Sequence, residues 1–120
     1  MDKRILLLRN LILANLTSLP NIEEISIKLN ISTSRLRQIT KESTGMSFGE
    51  YVRHQRLERA RELLETTFLR AQEVSVAVGI GDQSYFNRIF KEKYGLSPKK
   101  YHAEHCRMYK SDGDSGSAKL

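Results

Sequence analysis

The sequence predicts an all-α fold in which two helix-turn-helix subdomains are joined by one long central helix, about seven helices in all. Three observations predict it. A layout of short helix, tight turn and second helix occurs twice, and each copy ends at a glycine two residues before a serine. A long stretch with helical apolar spacing separates the copies. Side chains suited to N-caps stand at Asn21, Ser32, Ser47 and Ser97, each ahead of a helix-like run. On this reading residues 1–109 form the folded domain. The first subdomain covers about 1–46, the linker helix 47–65, the second subdomain about 70–109, and 110–120 is a disordered tail by composition.

The first helix is expected over Asp2 to Leu16. Its apolar residues surround the axis, with Arg9, Asn10 and Asn15 scattered among them. An ordinary surface helix shows one apolar stripe, so this one is expected to bury one side on its own domain and the other on a partner. Leu19-Pro20 breaks the chain. Asn21 and Glu24 then form a capping-box pair ahead of a helix whose inner face is Ile22, Ile25 and Leu29. Asn30 tolerates the left-handed conformation that a sharp turn needs. Ser32 caps a helix ending at Gly45, with Leu36 and Ile39 inward and Ser34, Arg35, Arg37, Gln38 and Lys41 outward.

Ser47 and Glu50 supply a second capping box for the linker helix, whose residues at 1.5 Å each span about 28 Å. Phe48, Val52, Ala60, Leu63 and Leu64 recur at helical spacing. Arg53, Arg56, Arg59 and Arg61 lie around them, with Glu58, Glu62 and Glu65 as neighbours for ion pairs. Arg70 stands where Asn21 stood and is a poorer cap. A short helix, a turn at Gly79 and a helix ending at Gly95 follow. That helix turns Phe86, Ile89 and Phe90 inward and Gln83, Ser84, Asn87, Arg88 and Lys91 outward, with Gly81 at its expected N-cap. Ser97 caps a last helix, Pro98 at N1, expected to end near Tyr109.

The two copies align. Glu24 to Ile31 matches Glu73 to Ile80 with three identities in eight, and Leu36 to Ser47 matches Phe86 to Ser97 with five in twelve. The offset grows by one residue at the turn, where insertion is tolerated. Composition limits what such a chain does. With 120 residues, a net charge of +6 and a pI near 9.6, a polyanionic partner is expected, nucleic acid before an anionic membrane, although solubility alone also explains such charge. Cys106 is the single cysteine, so an internal disulfide and a zinc ribbon are excluded. No run approaches the roughly 20 apolar residues of a membrane span, and no cleavage site follows the apolar N-terminus, so a cytoplasmic location is expected. His102, His105 and Cys106 lack further metal ligands. No nucleophile-base-acid set is found, so neither enzyme activity nor a cofactor nor a metal is expected.

The runs RLERARELL (Arg56 to Leu64), VGIGDQSYFNRIFKEKYGLSP (Val78 to Pro98) and GMSFGEYVRHQRL (Gly45 to Leu57) resemble the AraC/XylS family of bacterial transcription regulators, a resemblance spanning Asn21 to about Tyr101. It implies seven helices, with two recognition helices entering double-stranded DNA on one face. By position it implies base reading by Ser34, Arg37 and Gln38 in the first recognition helix and by Gln83, Ser84, Asn87 and Arg88 in the second. Arginine pairs in bidentate fashion with guanine, asparagine and glutamine with adenine. Arg35, Lys41, Lys91 and Lys99 are expected on phosphates. One chain then reads an asymmetric site about one helical turn (~34 Å) long, with the linker helix setting the separation of the readers. Thr40 where the second copy has Phe90, and serine at 26 and 75 where the family often has alanine, depart from its pattern. Family members often carry an N-terminal effector or dimerisation domain. The apolar first helix favours a chain that is the output part of a longer regulator, with that missing domain or RNA polymerase as partner. A reading of a different class is a protein-interaction module that binds another regulator in place of DNA.

Overall fold

The computed structural model describes residues 2–107. Within them lie seven helices and no strand: α1 (Lys3–Ala14), α2 (Ile22–Leu29), α3 (Thr33–Thr44), α4 (Phe48–Thr66), α5 (Ala71–Ala77), α6 (Gln83–Tyr94) and α7 (Pro98–His105). The expected all-α architecture is the observed one. The tail foreseen over 110–120 lies outside the described residues. The chain divides into two compact units between Arg56 and Leu57, inside α4.

Unit 1 is built on one apolar cluster. Ile5, Leu8 and Ile12 of α1 meet Ile25 of α2, Leu36 and Ile39 of α3, and Tyr51 and Val52 of α4. All are buried because each helix places its apolar residues three or four apart on one face. The starts are fixed by side chains. Asp2 Oδ1 accepts from the Arg4 N–H at 2.8 Å. Asn21 and Glu24 complete a reciprocal capping box at 2.9 and 3.2 Å. Ser47 and Glu50 do the same for α4, and the Ser47 N–H holds the Glu50 carboxyl below its usual range. The α2–α3 turn passes through Asn30 at φ 60°, the one described non-glycine residue with positive φ.

Unit 2 repeats the plan with a heavier core. Phe86 and Phe90 of α6 are fully buried. Phe90 lies 4.6 Å from the Tyr94 ring and 5.4 Å, edge-on, from Tyr101 of α7. Gly79, at φ 85°, takes the place of Asn30 at the turn. The serine hydroxyls at the alanine-like positions both find backbone partners: Ser26 donates to Glu23 O at 2.8 Å, and Ser75 donates across the turn to Ile80 O.

The repeat is longer than the aligned stretches. Leu57, Ala60 and Leu64 are buried in unit 2 as Ile5, Leu8 and Ile12 are in unit 1, each pair 52 residues apart. The second half of α4 therefore serves unit 2 as α1 serves unit 1. The first half of α4 serves unit 1 as α7 serves unit 2, with Tyr51 answering Tyr101. One device recurs with different chemistry. Arg56 Nη2 donates to Leu16 O just beyond α1, at 2.9 Å, and the Cys106 thiol donates to Thr67 O just beyond α4, at 3.3 Å. Arg56 was expected beside the glutamates of α4. Instead it turns to a carbonyl, and burial lowers its pKa.

Three boundaries differ from expectation. Helix α1 stops at Ala14, because Asn15 leaves helical dihedrals and its amide donates back to Leu11 O at 2.9 Å. Helix α7 ends at His105, where Cys106 adopts an extended conformation, and the expected end near Tyr109 lies outside the described residues. Helix α6 is capped by Asp82 and not by Gly81: the carboxylate accepts from the Tyr85 N–H at 3.0 Å, which a glycine cannot do. The linker helix runs one residue further, to Thr66, whose hydroxyl donates to Glu62 O at 2.7 Å.

Candidate nucleic-acid interface

Each unit presents one helix whose outer face is polar along its length. On α3 the residues Ser34, Arg35, Arg37, Gln38 and Lys41 are exposed, over a buried row of Leu36, Ile39 and Thr40. On α6 Gln83, Ser84, Asn87, Arg88 and Lys91 are exposed over Phe86, Ile89 and Phe90. The spacing that sends the apolar residues inward sends these outward.

These rows carry their own contacts. Arg35 Nη1 donates to Gln38 Oε1 at 3.1 Å, and Gln38 Nε2 donates to Glu42 Oε2 at 3.2 Å. The amide of Gln38 is thereby oriented, its oxygen toward the helix start. Lys41 Nζ donates to Gly45 O at 3.1 Å, at the negative end of α3. On α6 the Arg88 guanidinium lies 5.2 Å from the Tyr85 ring centroid and 3.9 Å from Glu92. Glu42 and Glu92 are equivalent acids, one turn beyond the readers. In sequence they are indistinguishable from solvated charge on an outer face.

A cleft flanks each polar helix. In unit 1 it has a volume of about 570 Å³ and brings Arg37 and Lys41 to Ser47 and Gly49 at the start of α4, with Ile22 on the other wall. In unit 2 it has about 590 Å³ and brings Gln83 and Asn87 to Ser97 and Lys99 at the start of α7. Its other wall is Phe68, Arg70 and Gln72, with His102 also lining it. Ser84, Arg88 and Lys91 stand outside this cleft, along the same helix. In sequence Arg70 is only a weak cap. Its exposed guanidinium belongs to the cleft.

Behind α6 a polar network joins the second half of α4 to α6 and α7. The Tyr94 hydroxyl donates to Glu58 at 2.6 Å, and the Tyr101 hydroxyl donates to Glu65. Arg61 ties both acids, to Glu58 at 3.1 Å and to Glu65 at 2.8 Å. Burial and then the Glu58 carboxylate push the Tyr94 hydroxyl well above its usual pKa. Burial would raise the Glu65 carboxyl, but the Tyr101 and Arg61 hydrogen bonds outweigh it and hold the pKa low. His102 Nδ1 lies 3.0 Å from Leu64 O, and the His105 ring packs on Tyr101. With the Cys106 thiol on Thr67 O, these three side chains face different partners. Among the described residues, no group of three or more His, Cys, Asp or Glu is placed to hold a metal. Nor, among them, is any helix long and apolar enough to cross a membrane.

Comparison with known proteins gives this geometry its context. The pattern of a family described as a helix-turn-helix domain matches residues 25–104. The Msm operon regulatory protein of Streptococcus mutans is 39% identical over 83 residues, covering 69% of this chain and 30% of that protein. The chain thus spans about a third or less of the curated relatives it matches. Among solved structures, the C-terminal domain of the two-component response regulator yesN from Fusobacterium nucleatum superposes with a TM-score of 0.70 at 33% identity, over 84% of this chain and 99% of that one. The DNA-binding domain of AdpA, solved with a target DNA, superposes with a TM-score of 0.74 over 97% of this chain and 100% of that one; at 21% identity it speaks for the fold. Family match, relatives and superpositions agree with the two exposed polar helices, and the chain belongs to the AraC/XylS family of helix-turn-helix DNA-binding domains.

Proposed function

We propose that the chain binds double-stranded DNA sequence-specifically and serves a transcription regulator, with α3 and α6 as recognition helices in two adjacent major-groove segments. The observation that carries this reading is the matched pair of exposed polar rows, each on the second helix of a helix-turn-helix. Ser34, Arg37 and Gln38 read bases from α3; Gln83, Ser84, Asn87 and Arg88 read them from α6. Arg35, Lys41, Lys91 and Lys99 hold phosphates, positioning without specifying. The orientation of Gln38 by Arg35 and Glu42 supports its role, since a glutamine reading adenine presents both amide atoms in fixed order. RNA polymerase and an N-terminal effector or dimerisation domain are the further partners, and the cytoplasm the place of action. The exposed Leu6 and Leu7 on α1 support a companion domain.

Selection from a pool of randomised duplexes tests the reading. Wild type is expected to enrich a motif with two blocks of base preference. Arg37→Ala is expected to cost about 1–3 kcal/mol and to relax one block, Arg88→Ala the other. Enrichment of no motif rejects sequence-specific recognition.

A further inference from the structure

The two clefts are equivalent in position and take their cations from different places, Arg37 and Lys41 of α3 in unit 1 and Arg70 and Lys99 at the starts of α5 and α7 in unit 2. Asn21 and Gly49 of unit 1 correspond to Arg70 and Lys99 of unit 2, at offsets of 49 and 50. Only unit 2 therefore has two cations at these places. Both stand where local structure disfavours them. Arg70 is the N-cap of α5, and it makes no side-chain cap bond, because a guanidinium has no acceptor. Half of a capping box survives, through Glu73 Oε1 accepting from the Arg70 N–H at 2.7 Å. Lys99 lies in the first turn of α7, which holds no acidic residue. A positive charge at a helix start opposes the helix dipole.

The return on these placements is small within the free chain. The Arg70 side chain is 86% exposed and meets Glu73 only at 3.8 Å, and such exposed pairs contribute little. Asparagine at 70, as at 21, caps better. What the cations share is the cleft of about 590 Å³, beside Gln83 and Asn87. A phosphodiester there would cancel the repulsion each cation feels from its helix.

We propose that this cleft seats a phosphate of the DNA backbone between Arg70 and Lys99. The inference rests on the DNA-binding reading above and adds to it a second-unit phosphate site that includes Arg70. Lys99 acts there as a member of a pair, whereas unit 1 has Asn21 and Gly49 at the two equivalent positions.

The test is duplex binding at a series of salt concentrations, with the selected motif as probe, for wild type, Arg70→Asn, Lys99→Gln and the double variant. Each neutralised phosphate contact adds about 0.9 to the slope of log affinity against log salt. One seated phosphate accounts for about 0.9 of slope in all, so each variant is expected to lose part of it and the double variant about 0.9, about eightfold in affinity at 0.1 M salt relative to 1 M, with the motif unchanged. Arg70→Asn is expected to keep or raise Tm, since it restores a cap, so weakened binding cannot come from unfolding. Unchanged slopes in both variants while wild type binds its motif overturn the phosphate seat alone. A changed motif with an unchanged slope also overturns it, by making Arg70 a base reader. Wild type without salt-dependent duplex binding overturns the seat and the DNA reading together.

Discussion

Thr40 and Phe90 hold the same place in the two units and fill it by different means. Phe90 buries a full ring against Tyr94 and Tyr101. Thr40 is as deeply buried, but its hydroxyl is spent on Leu36 O at 2.8 Å, inside its own helix. The consequence is unequal sensitivity. Phe90→Ala is expected to cost about 3–5 kcal/mol in urea unfolding, because it empties a large site that cannot collapse. Thr40→Val removes donor and need together and is expected to cost about 1 kcal/mol or less; a loss near that of Phe90→Ala contradicts this account of the core. Asn21→Ala is expected to lower stability by about 1 kcal/mol, through the Glu24 N–H it leaves unbonded. Such residue-level features were legible in sequence wherever they are local. Capping at Asn21, Ser32, Ser47 and Ser97, and the outward set on α3 and α6, follow from spacing alone. The Arg56 bond to Leu16 O was not legible, because 40 residues separate the partners and nothing local marks a carbonyl left open beyond α1.

The element that carries most of the design is α4. Sequence periodicity identified it but gave an incomplete inner face: Tyr51, Gln55 and Leu57 are buried too. The reason is that α4 serves two cores in succession, so no single apolar stripe runs along it. Its acids pair with arginines of the same helix, as their spacing predicts, but Glu58 and Glu65 also hold Tyr94 and Tyr101 and so fix α6 and α7 from behind, which spacing does not reveal. This has a pH signature. The folded pKa of Glu65 lies below its unfolded value. Its contribution is therefore fully present above the ordinary glutamate range near 4.3 and lost as pH falls through the depressed folded value. Unit 2 is expected to lose stability on acidification from about pH 5 to pH 3. Glu65→Gln is expected to be less stable at pH 7 and to show a shallower acid limb in thermal unfolding followed across that range. An acid limb identical to wild type contradicts the assignment. The break at Cys106 belongs to this scale as well: its thiol turns to Thr67 O, a tertiary contact that spacing alone does not reveal.

For the whole molecule, charge and duplication carry the argument. A net charge of +6 on 120 residues favours a polyanion, and salt is expected to weaken duplex binding steeply, with a slope of several units between 50 and 200 mM. The exposed acids Glu42 and Glu92 limit that electrostatic term; Glu92→Gln is expected to raise affinity and, by releasing Arg88, to alter preference in the second block, and Glu42→Gln to free the Gln38 amide and broaden base preference at one position of the first. Filter-binding and selection on the two variants distinguish these effects. The double reader itself is tested most directly by selection from randomised duplexes with wild type, Arg37→Ala and Arg88→Ala in parallel. The account predicts two blocks of base preference in wild type, with Arg37→Ala relaxing only the first and Arg88→Ala only the second. A single block relaxed by both substitutions, or a motif indifferent to either, would contradict it.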